Sequence, residues 1–296
     1  MTSWRVATFN IRHGLGPDER VDLARTADEI RALGAEVVGL QEVDVGFGPR
    51  SDHDDQAARL GELLGMRALF GAALDLPPTH EGGPRRRYGI ALLTDHEIIG
   101  QQSLLLPQHP GRTPPAEPRC LLHARLRRRD GEQLDVLVTH LDNESRAHRT
   151  AQVQGIVDRA RQIDGPTVLL GDMNADPGAP ELTALSATGW REAAAEIDSS
   201  VERRHGSRPP SPSVPVLNAA RSGSRRLARP LQEAAGLRGG SDRLTHPARF
   251  PLRRIDAVWL RGPLTATALE TGPAGSSDHL PVTAMLRTGG PGAPAR

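Results

Sequence analysis

Short runs of β-type residues recur along this chain, and several of them stop or start at a residue whose side chain can do chemistry. Asn10 closes RVATFN, Glu42 follows EVVGLQ, His140 follows LDVLVT, and Asp172 and Asn174 follow PTVLLG. Asp256 opens IDAVWL, while Ser277, Asp278 and His279 stand just before LPVTAML. Strands running in opposite directions bring the carboxyl end of one beside the amino end of the other. All of these residues can therefore share one edge of a sheet structure.

The runs themselves are Arg5–Asn10, Glu36–Leu40, Arg67–Phe70, Tyr88–Thr94, Glu97–Leu106, Arg119–Leu126, Leu134–Thr139, Thr167–Leu170, Ile255–Leu260 and Pro281–Leu286. Helical spacing separates some of them. Leu23, Ala27 and Ile30 fall at i, i+4, i+7, and Val153, Ile156, Val157 and Ala160 at i, i+3, i+4, i+7, which predicts amphipathic helices packed on a sheet. From Tyr88 to Thr139 strands follow one another, with the turn dipeptide Asp130-Gly131 between two of them. This mixture predicts an α/β chain with substantial antiparallel pairing.

Composition narrows the chemistry. The 296 residues carry 37 Lys+Arg against 36 Asp+Glu, a net charge of +1, and every one of those cations is arginine. Schiff-base lysine chemistry and a P-loop lysine are excluded. The single cysteine, Cys120, sits in the apolar run RCLLHARL and reads as a small buried hydrophobe. The amino terminus has no basic stretch followed by an apolar segment of secretory length, and no run reaches the roughly 20 apolar residues of a membrane span. A soluble, cytoplasmic protein with no obligate protein partner is expected. One catalytic domain is expected over residues 1–288, with a tail at 289–296. Asp198–Gly240, rich in arginine, proline and glycine, reads as a flexible insertion or as a basic arm for a polyanion.

If the strand-end residues converge, Glu42, Asp172, Asp256 and Asp278 place several carboxylates close together. These repel unless some are protonated or a cation neutralises them. Oxygen-only ligands such as carboxylates and the Asn10 amide suit a hard ion, Mg²⁺ or Mn²⁺, and neither a cysteine cluster nor an HExxH spacing is present to favour zinc. Magnesium is the better fit.

The ordered motifs TFNIRHG, LQEVD, VTHLDN, GDMNADP, RIDAVWL and SDHLPV resemble those of the endonuclease/exonuclease/phosphatase superfamily, from about Arg5 to Leu286. The resemblance implies a deoxyribonuclease I-like four-layered α/β sandwich of two mixed, largely antiparallel sheets flanked by helices. It implies Glu42 as the main metal ligand, with Asn10 and Asp278 near the same ion. It implies Asp172 as the group that orients or deprotonates the attacking water, and Asn174 as an amide on the scissile phosphate. Asp256 and His279 match the family's Asp–His pair, His140 stands near the phosphate and leaving group, and Asn143 adds an amide contact.

The chemistry fits those residue types. Attack on a phosphate ester needs its charge neutralised, a water activated and a departing alkoxide stabilised. An Asp beside a His orients the ring and favours its cation, making His279 either a phosphate donor or a base. Expected is a metal-dependent hydrolase of phosphate esters, a phosphodiesterase or nuclease ahead of a monoesterase, with nucleic acid among its possible substrates. The alternatives are a small-molecule or lipid-headgroup phosphatase and an inactive binding module with a basic arm. Taken singly, Asp172 and Asn174 read as turn or cap residues, and Asp256 as an ion-pair partner of Arg253 or Arg254. His13 and His246 border the expected cleft, Arg149 and Gln152 support the loop after His140, and Tyr88 reads as packing.

Overall fold

Alternation along the strands decides the architecture. On β1 (Ser3–Asn10), Trp4 and Val6 pack to one side and Ala7 and Phe9 to the other, and both sides are buried. The same holds on β8 (Thr167–Asp172), where Val168 and Leu170 face one core and Leu169 another. Side chains alternate with period 2 along a strand, so each sheet must be covered on both faces.

The computed structural model describes residues 3–110, 117–205, 243–273 and 275–289. Between β1 and β8 run β2 (Val37–Val45), β3 (Arg67–Leu76), β4 (Arg86–Thr94), β5 (Glu97–Leu105), β6 (Cys120–Arg127) and β7 (Gln133–His140). After β8 come β9 (Arg191–Glu192), β10 (Asp256–Arg261), β11 (Leu264–Thr271) and β12 (Val282–Thr288). They form two six-stranded sheets, ordered β11-β12-β1-β2-β4-β3 and β5-β6-β7-β8-β10-β9. Only β1·β2 and β7·β8 pair in parallel.

Parallel neighbours need a crossover, and helices supply it: α1 (Leu23–Ala32) joins β1 to β2, and α3 (Arg146–Ala160) joins β7 to β8. Asp22 and Ser145 cap these helices by accepting from the backbone N–H of Arg25 and His148. With α2 (Gln56–Leu64), α1 covers the first sheet through Ala27, Ile30 and Leu60. With α4 (Thr183–Ala187), α3 covers the second through Val153, Ile156, Val157 and Leu185. The central core lies between the sheets, where Val6, Val37, Leu92, Val138, Leu170 and Val258 meet. The result is the expected four-layered α/β sandwich.

The strands expected from sequence are all present, several of them longer than their apolar cores. Helix α2 and strands β9 and β11 are additional to the elements expected from sequence. Helix α5 (Ala193–His205) extends into the expected insertion and takes in its first residues from Asp198. Residues 206–242, which include the rest of that insertion to Gly240, lie outside the described residues, as does the tail from 290. Among the described residues no helix is long and apolar enough to cross a membrane.

Candidate active site

Register brings the strand-end residues together. His140 pairs with Asp172 across the parallel β7·β8 ladder, and Asp256 pairs with Asp172 across the antiparallel β8·β10 ladder. In the other sheet Asn10 is level with Gln41, and β12 runs antiparallel beside β1, so Ser277–His279 arrive at the same edge.

Glu42 reaches this edge because β2 does not stop before it. The ladder to β4 breaks register between Gln41 and Val43, leaving Glu42 as the extra residue of a bulge with φ 57°. Its effect on phase is visible: Val38 and Leu40 face the helices before the bulge, and Val43 and Val45 face them after it. A left-handed conformation costs a non-glycine residue about 1–2 kcal/mol, a strain placed at the residue that turns toward the cavity.

Asp172 is almost fully buried. Its Oδ1 accepts the Asn174 backbone N–H at 2.9 Å, and its Oδ2 accepts from Asn10 Nδ2 at 3.1 Å. The same Asn10 nitrogen donates to Glu42 Oε1 at 3.0 Å, while Asn10 Oδ1 accepts the Arg12 N–H. One carboxamide thus spans the two sheets and fixes Glu42 against Asp172. Gly171 permits the strand spacing here: a Cβ at that position would lie 2.5 Å from the Thr139 carbonyl oxygen.

Two imidazoles flank Asp172. His279 Nε2 is 3.7 Å from Asp172 Oδ2 and His140 Nε2 is 3.6 Å from it. His279 Nδ1 contacts Asp256 Oδ2 at 2.9 Å. Burial alone would depress the His279 pKa, but the charge and hydrogen bond of Asp256 outweigh it and raise the ring to about 10. For Asp172, burial first and the Asp256 charge second push the carboxyl up to about 7, against the pull of His279. His140 is displaced the other way, well below the ordinary imidazole value, by burial and by the positive Arg119 and His279.

These groups open on a cavity of about 650 Å³. Glu42, His140, Asn143, Asp172, Asn174, Asp278 and His279 line it, with Asn10 and Asp256 buried behind its wall. Every candidate residue therefore lies in or directly behind one cavity. Asn143 is exposed at the rim, and Asp278 faces Arg12 at 3.6 Å. His246 stacks on His279 with centroids 4.6 Å apart, whereas His13 is not part of the cavity lining. Arg149 donates to the Asp142 carbonyl and Gln152 accepts the Asp142 N–H, so both hold the loop after His140, as expected. Tyr88 departs from its expected role as pure packing, since it lines the cavity beside Phe47. Asp256 binds His279, while Arg254 pairs with Glu192 instead.

Several residues given no specific role from sequence also shape the site. Ser277 Oγ donates to the Asn10 carbonyl at 2.6 Å and accepts the His279 N–H, stapling two motifs; its place inside SSDH is the one signal it gives. Thr245 Oγ1 accepts from the Ile255 and Asp256 N–H groups. Arg50 is gripped by buried Asp44 through two hydrogen bonds and lies over the Phe47 ring at 4.3 Å. Arg119, paired with Glu117 at 2.8 Å, contacts His140.

The donor set suits a hard divalent ion. Glu42 and Asp278 offer only carboxylate oxygen to the cavity, in a wall that also holds Asp172 and Glu117, and the buried Cys120 is not part of the lining. Asp172, Asp256 and His279 form a second, buried group whose ligand-type atoms lie within 4.8 Å of one another and that could hold a metal ion. Its His279–Asp256 contact is already a hydrogen bond.

The model of the Endonuclease/Exonuclease/phosphatase family matches residues 7–279. No curated protein matches the chain. Among solved structures, the chain is similar to an endonuclease/exonuclease/phosphatase from Beutenbergia cavernae DSM 12333, with 25% identity and a TM-score of 0.69, over 98% of this chain and 72% of that one. A mannosyl-6-phosphatase from Bacteroides thetaiotaomicron VPI-5482 is similar at 17% identity and a TM-score of 0.63, over 96% and 99% of the two chains. D. rerio TDP2 complexed with single strand DNA product is similar at 14% identity and a TM-score of 0.60, over 97% and 100%.

Proposed function

The chain belongs to the endonuclease/exonuclease/phosphatase family, and on that premise we propose that it is a Mg²⁺- or Mn²⁺-dependent hydrolase of phosphodiesters that works by attack of an activated water. The observation that carries this reading is the surround of Asp172: a buried carboxylate held by two asparagines and flanked by two imidazoles of different electrical character.

Glu42 and Asp278, with Asn10 beside them, would hold the ion, which supplies charge neutralisation on the phosphoryl oxygens and stabilises the departing alkoxide. Asp172, poised near neutrality, orients the water and takes its proton. His279, kept cationic by Asp256, donates from Nε2 to a phosphoryl oxygen. Asn174 and His140 present their side chains to the same position, and Asn143 adds an amide at the rim.

The charge balance supports a diester. A dianionic monoester asks for more compensating charge than a monoanionic diester, and two of the three arginines lining the cavity, Arg50 and Arg119, are already paired with Asp44 and Glu117. One observation favours a second reading, a small-molecule or lipid-headgroup phosphatase: the volume of about 650 Å³ is that of a small-ligand pocket. The related proteins include both a phosphatase and a protein holding a DNA product, so the ester type rests on the site itself.

The test is a substrate panel: bis-p-nitrophenyl phosphate, p-nitrophenyl phosphate, plasmid DNA and lipid phosphodiesters, each with Mg²⁺, Mn²⁺ or excess chelator. Metal-dependent cleavage of the bis-ester in preference to the mono-ester is expected. Cleavage of the mono-ester alone would replace the diester reading with the second one, and turnover of no substrate would favour a binding module.

A further inference from the structure

The two imidazoles beside Asp172 have opposite kinds of partner. His279 Nδ1 meets a carboxylate, whereas His140 Nδ1 meets the guanidinium of Arg119, with NH1 3.1 Å away and both side chains almost fully buried. A guanidinium has N–H donors and no acceptor. His140 Nδ1 must therefore keep its lone pair, and the neutral ring carries its hydrogen on Nε2.

That requirement has a consequence on the other side of the ring. Asn174 Nδ2 lies 3.0 Å from His140 Nε2 and 3.0 Å from the Leu141 carbonyl oxygen. The bond to Leu141 marks that atom as the amide nitrogen, again a donor. In the Nε2–H tautomer two N–H donors stand 3.0 Å apart beside the cavity with no acceptor between them, and a carboxylate oxygen, Asp172 Oδ2, is 3.6 Å from Nε2. Converging donors without an acceptor are unfavourable when buried, and a single oxygen accepting from both relieves the conflict.

We propose that Arg119 is a positioning residue that fixes His140 as the Nε2–H tautomer, so that His140 and Asn174 together form a hole for one oxygen of a bound phosphoryl group. Glu117, 2.8 Å from the same guanidinium nitrogen, holds Arg119 in place. His140 then acts as a neutral hydrogen-bond donor. It has no lone pair facing the cavity and takes no proton from the attacking water. The identity of the oxygen rests on the phosphate-ester reading, whereas the tautomer rests on the Arg119 contact alone.

The experiment uses the full chain, metal-free, with ¹⁵N-labelled histidine, reading long-range ¹H–¹⁵N correlations of the rings at neutral pH; the spectrum of His140→Gln assigns the His140 signals. The wild type is expected to show a neutral His140 ring with the hydrogen on Nε2, and added inorganic phosphate is expected to shift that signal. Arg119→Met frees Nδ1, so the ring is expected to switch to the Nδ1–H form with Nε2 accepting from Asn174, and to lose the phosphate response. Arg119→Lys keeps a donor and should restore the wild-type pattern. An Nδ1–H or doubly protonated ring in the wild type, a phosphate titration that leaves His140 unmoved, or an Arg119→Met spectrum identical to wild type would overturn the proposal. The wild-type spectrum decides the tautomer even if Arg119→Met fails to fold. Absence of turnover on every phosphate ester alongside an Nε2–H ring would remove the functional reading and leave the tautomer assignment standing.

Discussion

Asp172 and Asp256 occupy directly opposed positions on β8 and β10, and a single ring, His279, lies 3.7 Å from one carboxylate and 2.9 Å from the other. Two buried carboxylates this close repel. The pair is stable because one of them is matched by an imidazolium and the other holds its proton more tightly than an ordinary aspartate.

Removing the Asp256 charge should therefore be felt at His279. In Asp256→Asn the ring loses the partner that raises it, and burial then favours the neutral form. Turnover of the best ester should drop by about 10², with the melting transition still cooperative. Kinetics against pH, together with an NMR titration of His279, check this. A variant that turned over at near-wild-type rate would mean that the imidazolium is not used.

The same two groups set the stability of the metal-free protein against pH. The His279 pKa rises from 6.5 to about 10 on folding, so its contribution is complete below 6.5 and is lost as pH climbs through 10. Asp172 rises from 3.8 to about 7, which also makes folding less favourable as pH increases between those values. The lowered His140 acts in the opposite sense through the acid range. In chelator, unfolding free energies from denaturant titrations should therefore decline as pH climbs from about 7 toward 10, and His279→Gln should flatten that decline. An unchanged slope in that variant would assign the alkaline decline to other groups.

How much of this was legible beforehand differs between the frame and its fittings. The residues that end strands, from Asn10 to His279, stand beside apolar runs with a readable period, so both their positions and their convergence could be argued from the chain. Glu42 was legible as a strand end, but the bulge that aims it was not, because a one-residue change of phase is visible only once Val43 and Val45 are seen beside Val38 and Leu40. Arg119 is 21 residues from His140, and Asp44 finds Arg50 through a loop. Contacts of that kind depend on where the chain returns, and no local pattern encodes them. Helix α2 is different in kind: Ala57, Leu60, Leu63 and Leu64 carry a helical apolar spacing that a reading centred on the strands passes over.

On the proposed mechanism, hydrolysis depends on an ion held by the oxygen donors. Excess chelator should abolish hydrolysis and Mg²⁺ or Mn²⁺ should restore it. Glu42→Gln should raise the metal concentration for half-maximal activity by about tenfold or more. Titration of activity against free metal, paired with calorimetry of metal binding, makes the measurement; full activity in chelator would rule the mechanism out.

The glycine before Asp172 is required by its surroundings. In Gly171→Ala the added methyl meets the Thr139 carbonyl oxygen at 2.5 Å, so β7 and β8 must separate where His140 and Asp172 are paired. Overpacking of this kind should destabilise by about 1–3 kcal/mol and reduce turnover beyond what the loss of folded protein explains. Thermal unfolding and kcat at a temperature where the variant is fully folded separate the two effects. A fully folded variant with wild-type kcat would show that the spacing of these strands is not critical for the chemistry.

Asp172→Asn keeps the size of the side chain but removes its capacity to accept a proton, together with one of the two hydrogen bonds that its oxygens accept from Asn10 Nδ2 and the Asn174 N–H. With bis-p-nitrophenyl phosphate, saturating Mn²⁺ and a folded variant, kcat should drop by about 10² or more, while the donor left unpaired lowers stability by about 1–3 kcal/mol. A folded Asp172→Asn protein that hydrolyses the diester at the wild-type rate would contradict the assignment of Asp172 to the attacking water.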